Sequence, residues 1–219
     1  FAAVHEVAHD LRHRVGAALD AGDFPLVMGG GHAIAAGSVA AAAARGASVL
    51  WIDAHADVNT PATSGSGNLH GMPVAALWGL PSGVEGEADR QWRSFLDSLG
   101  PERLRPDRTA WFGLRDVDRE EGRRVGEGLP ITMHDIDRHG VPAMVDRWDA
   151  WLAASGATEL WISFDVDSLD PVLAPGTGTA VRGGLTYREG HLLAELLHEK
   201  IASRGIRLLG MDIVEVNPL

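Results

Sequence analysis

Five short apolar runs constrain this chain more than any other feature: residues 24–28, 49–52, 109–112, 160–164 and 208–213. Each is too short for a typical helix. Each also lacks the polar alternation of a strand with one wet face. Such runs read as strands buried on both sides. Between several of them lie stretches patterned like helices, at 2–18, 33–44, 144–154 and 188–201. Strands alternating with helices predict an α/β fold of three layers, α/β/α, with a mainly parallel sheet. Segment 81–107 is polar and rich in Gly, Pro and charge, and reads as a surface connection with some helix. No repeat or low-complexity linker divides the 219 residues, so one domain over 1–219 is expected.

The chemically unusual residues follow the strands directly. Gly29-Gly30-Gly31-His32 follows the first, and Asp53-Ala54-His55-Ala56-Asp57 the second. Gly113-Leu114-Arg115-Asp116-Val117-Asp118 follows the third, Asp165-Val166-Asp167 ends the fourth, and Glu215 and Asn217 follow the last. In open α/β sheets ligands gather at the carboxyl ends of the strands, so five strand ends can converge on one site.

Composition narrows what that site can bind. The formal charge of −11 argues against nucleic acid or an anionic membrane as partner. No apolar run reaches a membrane span, and the start has no secretory signal. Cysteine is absent, which excludes disulfides and thiolate metal sites and fits a reducing, cytoplasmic setting. The chain begins at Phe1 and not Met, which leaves open that it is a fragment.

The carboxylates of an acidic chain can be concentrated around a cation. Asp53 and His55 stand two apart, so on an extended backbone their side chains project to the same side. Asp57 joins them if the chain bends. Asp165 and Asp167 repeat the spacing. Carboxylates packed this closely repel unless a cation lies between them. With His32 they make six candidate ligands, and the four Asp charges balance two divalent ions. Mixed imidazole and carboxylate donors suit Mn²⁺, and also accept Fe, Co, Ni or Zn. Mg²⁺ prefers an all-oxygen shell. Two ions about 3.5–4 Å apart can hold one water, lower its pKa and orient it, which suits hydrolysis of a resonance-stabilised centre such as a guanidinium carbon.

Other features have plainer readings. His5, His9 and His13 have helical spacing and read as a solvated helix face. Asp170, before Pro171, reads as ordering a loop. Gly29–Gly31 and Gly183-Gly184 allow close backbone approach and are not read as a phosphate cradle.

These motifs resemble those of the ureohydrolases, and within them the arginases. The resemblance rests on Gly29-Gly-Gly-His32, Asp53-Ala-His-Ala-Asp-Val-Asn-Thr-Pro61, Ser66-Gly-Asn-Leu-His-Gly-Met-Pro73, Gly113-Leu-Arg-Asp-Val-Asp118, Ser163-Phe-Asp-Val-Asp-Ser-Leu-Asp-Pro171, Ala174-Pro-Gly-Thr-Gly-Thr179, Gly183-Gly-Leu-Thr-Tyr-Arg-Glu189 and Met211-Asp-Ile-Val-Glu-Val-Asn-Pro218. They occur in the family's order over almost the whole chain.

The resemblance implies two Mn²⁺ per subunit. His32, Asp53, Asp57 and Asp165 would hold one. His55 and Asp167 would hold the other and share Asp53 and Asp165 as bridges. Asp57, His70 and Glu215 form the implied catalytic set, with His70 as proton shuttle and Glu215 as the guanidinium partner. Thr179 would support that end of the pocket, and Asn59, Ser66 and Asp118 would grip the amino-acid end of L-arginine. The implied reaction gives L-ornithine and urea, in a homo-oligomer, trimer or hexamer. Alternatives are an agmatinase, a guanidino-acid hydrolase, a formimidoylglutamase or a non-catalytic metal-binding homologue. Two departures stand out. Gly31 replaces the family's usual Asp, a form shared with formimidoylglutamases, and the arginase-like fold is expected to be shortened at both ends.

Overall fold

The structure, a computed structural model, describes residues 2–217. It contains α1 (Ala2–Ala21), β1 (Leu26–Met28), α2 (Ala35–Ala43), β2 (Ser48–Ile52), α3 (Pro73–Trp78), α4 (Glu87–Ser98), β3 (Thr109–Leu114), β4 (Leu129–Thr132), α5 (Met133–Ala154), β5 (Glu159–Asp165), α6 (Tyr187–Arg204) and β6 (Arg207–Val214). The six strands form one sheet in the order β1-β6-β5-β2-β3-β4, and every pairing is parallel.

The apolar runs become strands because each supplies two cores at once. Val49 and Trp51 of β2 face one side, where α1 to α4 pack, together with Trp111 and Trp161. Leu50 and Ile52 face the other, against α5 and α6. This period-two split of a continuous apolar strand produces the three expected layers.

Helix boundaries follow local chemistry. Thr132 with Asp135, and Thr186 with Glu189, form reciprocal capping boxes that start α5 and α6. Helix α6 stops at Gly205, in the left-handed region at φ 65°.

Three differences from the sequence reading have physical causes. The first strand is shorter, Leu26–Met28, because Pro25 precedes it. Helix α5 begins at Met133 and not near 144, since it is two helical pieces joined at Gly140 (φ 80°), followed by Pro142. Both residues read locally as breakers. Strand β4 is an addition: it is four residues long, contains Pro130, and survives because it lies at the sheet edge. Within 81–107, α4 supplies the helix and buries Trp92 and Phe95.

From β2 the chain steps to β3 on one side, and from β5 to β6 on the other. The neighbours β2 and β5 therefore define the topological switch point, where a crevice opens at the carboxyl ends. Asp53 follows β2 and Asp165 ends β5.

Candidate metal centre

Asp53 is fully buried at the end of β2, and its two oxygens face different neighbours. Its Oδ2 lies 2.9 Å from His32 Nδ1, and its Oδ1 lies 3.3 Å from His55 Nδ1. Around His32 Nδ1 also converge Asp165 Oδ2 at 3.1 Å and Asp57 Oδ2 at 3.2 Å. Around His55 Nδ1 converges Asp167 Oδ2 at 3.1 Å. The donors thus form two clusters sharing Asp53: His32, Asp53, Asp165 and Asp53, His55, Asp167. This is a binuclear metal-binding site.

Two observations show that these residues fit a pair of cations. His32 Nδ1 is buried and makes no hydrogen bond, although three carboxylate oxygens surround it. A lone pair and three anionic oxygens converging on one point need a cation there. The ionisation of the bare site tells the same story. Burial, reinforced by the charge on Asp53, pushes Asp165 up to about 8 and raises Asp57 and Asp167 as well. Burial opposes protonation of His55, but hydrogen bonds to Asp167 and Asp53 raise it to about 11. His32 also rises, against its burial, because the carboxylates of Asp165, Asp53 and Asp57 crowd its ring. Asp53 alone moves down, because the two imidazoles overcome its burial. Protons fill the role that divalent ions fill in a loaded centre.

The backbone is bent to make this cluster. Among the described residues only Asp57 (φ 55°) and Glu215 (φ 60°) are non-glycine residues in the left-handed region, and both belong to the site. Asp57 turns back under the cavity after β2. Asp167 follows β5 through a short 3₁₀ turn in which its N–H donates to Asp165 Oδ1 at 2.8 Å.

Behind the ligands lies a network that the sequence reading missed. His32 Nε2 contacts Ser163 Oγ at 2.8 Å, and that hydroxyl donates to Asp212 Oδ1 at 2.5 Å. Asp212 is fully buried, and its Oδ2 accepts from Ser38 Oγ at 2.9 Å and Trp161 Nε1 at 2.8 Å. Trp51 stacks on the His32 ring, with centroids 4.0 Å apart, and donates its indole N–H to Asp53. The signal for Asp212 was present, as a carboxylate within an apolar β6 run, but its partners are distant in sequence.

Above the cluster opens a cavity of about 240 Å³. Of the expected site residues, Asp53 and Asp167 lie beneath it, and all the others line it. Glu215 Oε1 accepts from the His32 main-chain N–H at 2.7 Å and stands 3.7 Å from His70 Nδ1. Asn59 Nδ2 donates to Asp118 Oδ2 at 2.7 Å. Desolvation works against ionisation of Asp118, but the main-chain N–H groups of Glu121 and Glu120 and the Asn59 amide hold it below the usual carboxylate range. Thr179 Oγ1 donates to Asp167 Oδ2 at 3.0 Å, so it touches a metal-site carboxylate. Ser66 sits at the exposed rim, where its Oγ accepts from Asn68 N–H at 3.2 Å. The cavity also includes Glu121, absent from the sequence reading, whose carboxyl burial pushes up to about 7.

The plainer readings also meet the structure. His9 and His13 are exposed on α1 with their Nε2 atoms 3.2 Å apart, and His5 packs edge-on to Phe95. Asp170 accepts from the N–H groups of Val172, Gly183 and Gly184, and so orders its loop.

A parallel three-layer α/β/α fold with a carboxylate and histidine binuclear site at its switch point defines a class of dinuclear metal proteins. The arginase family profile matches residues 1–219. The arginase of Neurospora crassa is 42% identical over 226 residues, covering 99% of this chain and 59% of that protein. The Staphylococcus aureus (strain MRSA252) arginase is 39% identical over 218 residues, covering 98% of this chain and 67% of that protein. The crystal structure of Bacillus subtilis arginase superposes with a TM-score of 0.85 at 36% identity, covering 98% of this chain and 72% of that one. The agmatine ureohydrolase of Thermoplasma volcanium superposes at 0.67 with 27% identity, covering 98% and 61%. The chain belongs to the arginase family. It spans 52–60% of the length of the first three curated relatives it matches. No helix among the described residues is long and apolar enough to cross a membrane.

Proposed function

We propose that this chain hydrolyses the guanidinium group of L-arginine to L-ornithine and urea, using two Mn²⁺ ions. The observation that carries the reading is Asp53, whose two oxygens face His32 and His55 separately beneath a cavity that holds Glu215 and the Asn59–Asp118 pair.

His32, Asp57, Asp165 and Asp53 would hold one ion, and His55 and Asp167 the other, with Asp53 and Asp165 shared. Nitrogen and oxygen donors without sulfur favour Mn²⁺ over softer-ligand metals. When bound, the ions supply Lewis acidity and a water acidic enough to be a nucleophile near neutral pH.

The remaining steps belong to side chains. Glu215 pairs with the planar guanidinium fork and orients its carbon over the centre. Its own position is set by the His32 N–H and by a left-handed backbone. Asp118 offers a negative charge to the substrate's ammonium, and Asn59 and Ser66 offer donors to its carboxylate. Leaving these groups unpaired costs binding, so a substrate lacking the head group is disfavoured. As the carbon gains an oxygen and its bond to the departing nitrogen breaks, His70 gives that nitrogen a proton. Thr179 steadies Asp167 from the same cavity. The reading extends to a cytoplasmic homo-oligomer, trimeric or hexameric, supported by the family and by the lack of cysteine.

The test is product release by Mn²⁺-reconstituted protein. The panel is arginine, agmatine, guanidinobutyrate and guanidinopropionate for urea, and formimidoylglutamate for formamide. Urea from arginine well above the others is expected. Turnover of agmatine or formimidoylglutamate in preference to arginine refutes the substrate assignment. Metal bound without turnover of any of them refutes catalysis.

A further inference from the structure

Arg115 ties together the loops that complete one half of the metal centre, and it lies outside the ligand set and the cavity lining. Its main-chain N–H donates to Ala54 C=O at 2.9 Å, within the turn that carries Asp53, His55 and Asp57. Its guanidinium reaches a different loop. It donates to the carbonyls of Asp167 at 2.5 Å, Ser168 at 3.3 Å and Val181 at 2.7 Å. The turn's own Ser168 hydroxyl donates to the Asp165 carbonyl at 2.7 Å, and a planar fork of five N–H groups suits the several further acceptors at once.

The seat is cut to fit. A Cβ on Gly184 would come within 2.7 Å of Arg115 Nη2 and 2.5 Å of the Leu169 carbonyl carbon. Only glycine at 184 leaves room for both.

The carboxylate of Asp167 is held from the same two directions. Ala54 N–H donates to its Oδ1 at 3.1 Å, and Thr179 Oγ1 donates to its Oδ2 at 3.0 Å. Ala54 belongs to the turn that Arg115 grips through its main chain. Thr179 lies two residues from Val181, which Arg115 grips through its side chain. The other half of the centre shares one tie with this loop, the Asp167 N–H that donates to Asp165 Oδ1 at 2.8 Å, and has further anchors of its own. Asp165 is still within β5, paired with Val214 of β6, and His32 is held by Ser163.

We propose that Arg115 is a positioning residue that fixes the His55–Asp167 half of the centre and joins it to the Thr179 loop. This rests on the two-metal reading above. Arg115 places the Asp167 main chain, and through it the carboxylate. The His32 half depends on it less, because β5 pairing holds Asp165 and Ser163 holds His32. Charge alone gives the opposite expectation: removing a nearby positive charge strengthens cation binding. Weaker binding on loss of Arg115 is therefore a signature of position.

The experiment is calorimetric titration of Mn²⁺ into the metal-stripped full chain, with metal content counted after dialysis, for wild type, Arg115→Met and Arg115→Lys. Hydrogen exchange is followed over 166–184. Wild type is expected to take up two ions. Arg115→Met should bind the first ion within about twofold of wild type and the second roughly tenfold or more weakly, with faster exchange over 166–184. Arg115→Lys should weaken the second ion as well, though less, because it keeps the charge and loses the fork; it decides the matter if Arg115→Met does not fold. Two ions bound at wild-type affinity by the variants, or equal weakening of both ions, overturns the proposal. A wild type that binds no pair of ions overturns the two-metal reading and this inference with it. A wild type with two ions and unaltered variants overturns this inference alone.

Discussion

Glu215 accepts a hydrogen bond from the main-chain N–H of His32 at 2.7 Å, which ties the end of β6 to the turn after β1. The contact passes directly over Gly31. A Cβ there would stand 3.1 Å from Glu215 Oε1, tighter than ordinary packing. Gly31→Ala should therefore push Glu215 off its seat, raising KM for arginine several-fold while leaving two ions bound. Steady-state kinetics with parallel metal analysis checks this, and an unchanged KM would show that Glu215 tolerates the crowding.

Asp53 and Asp167 should differ in what their loss removes. Asp53 serves both clusters, whereas Asp167 serves one. Asp53→Ala should leave almost no bound metal after dialysis, and Asp167→Ala about one ion per chain, with urea production abolished in both. Elemental analysis decides it. Equal metal content in the two variants would refute the bridging role of Asp53.

Asp212 stabilises the centre without reaching it. Asp212→Asn keeps the volume and one acceptor oxygen, which the Ser38 hydroxyl and the Trp161 indole N–H claim, so the new NH₂ faces Ser163. The Ser163 hydroxyl then loses its acceptor and His32 its fixed orientation. Metal affinity should fall by roughly 10–100-fold, with a lower Tm of the loaded protein. Wild-type affinity in this variant would separate Asp212 from the metal centre.

Acidity should act on the bare and loaded chain in opposite ways. Asp165 sits at about 8 in the bare site, above its unfolded value of about 4. The folded chain then holds more protons than the unfolded one between those values, and stability falls as pH rises. His55, raised to about 11, contributes stability that is full below about 6.5 and is lost as pH climbs through its folded value. Both effects have the same sign, so the Tm of metal-free protein should drop from pH 5 to pH 9. Metal displaces those protons, so Mn²⁺ affinity should rise over the same range. Calorimetry with and without Mn²⁺ tests both statements, and a metal-free Tm that rises with pH would contradict the ionisation described for the centre.

Much of this molecule was legible before any fold was known. Residues 49–52 are apolar throughout, and 160–164 are apolar but for Ser163, so both could hardly be anything but doubly buried strands. The spacing of Asp53, His55 and Asp57, and of Asp165 and Asp167, is local chemistry that a strand end turns directly into a ligand cluster. Strand β4 and the first turns of α5 were hidden, because Pro130, Gly140 and Pro142 signal breaks locally, and edge position and a kink accommodate them only in the assembled layers.

What the tertiary structure alone decided is which distant residues stand behind the ligands. Parallel register sets Trp51 of β2 beside Ser163 of β5, and Ser163 beside Asp212 of β6. That row across three strands holds His32, which arrives from a fourth. Arg115 meets Asp167 and Val181 only because β3 and β5 flank β2. A residue's type and its neighbours' spacing are written in the sequence. Its partners across the sheet are set by register and strand order, which emerge only when all the strands pair and both cores close.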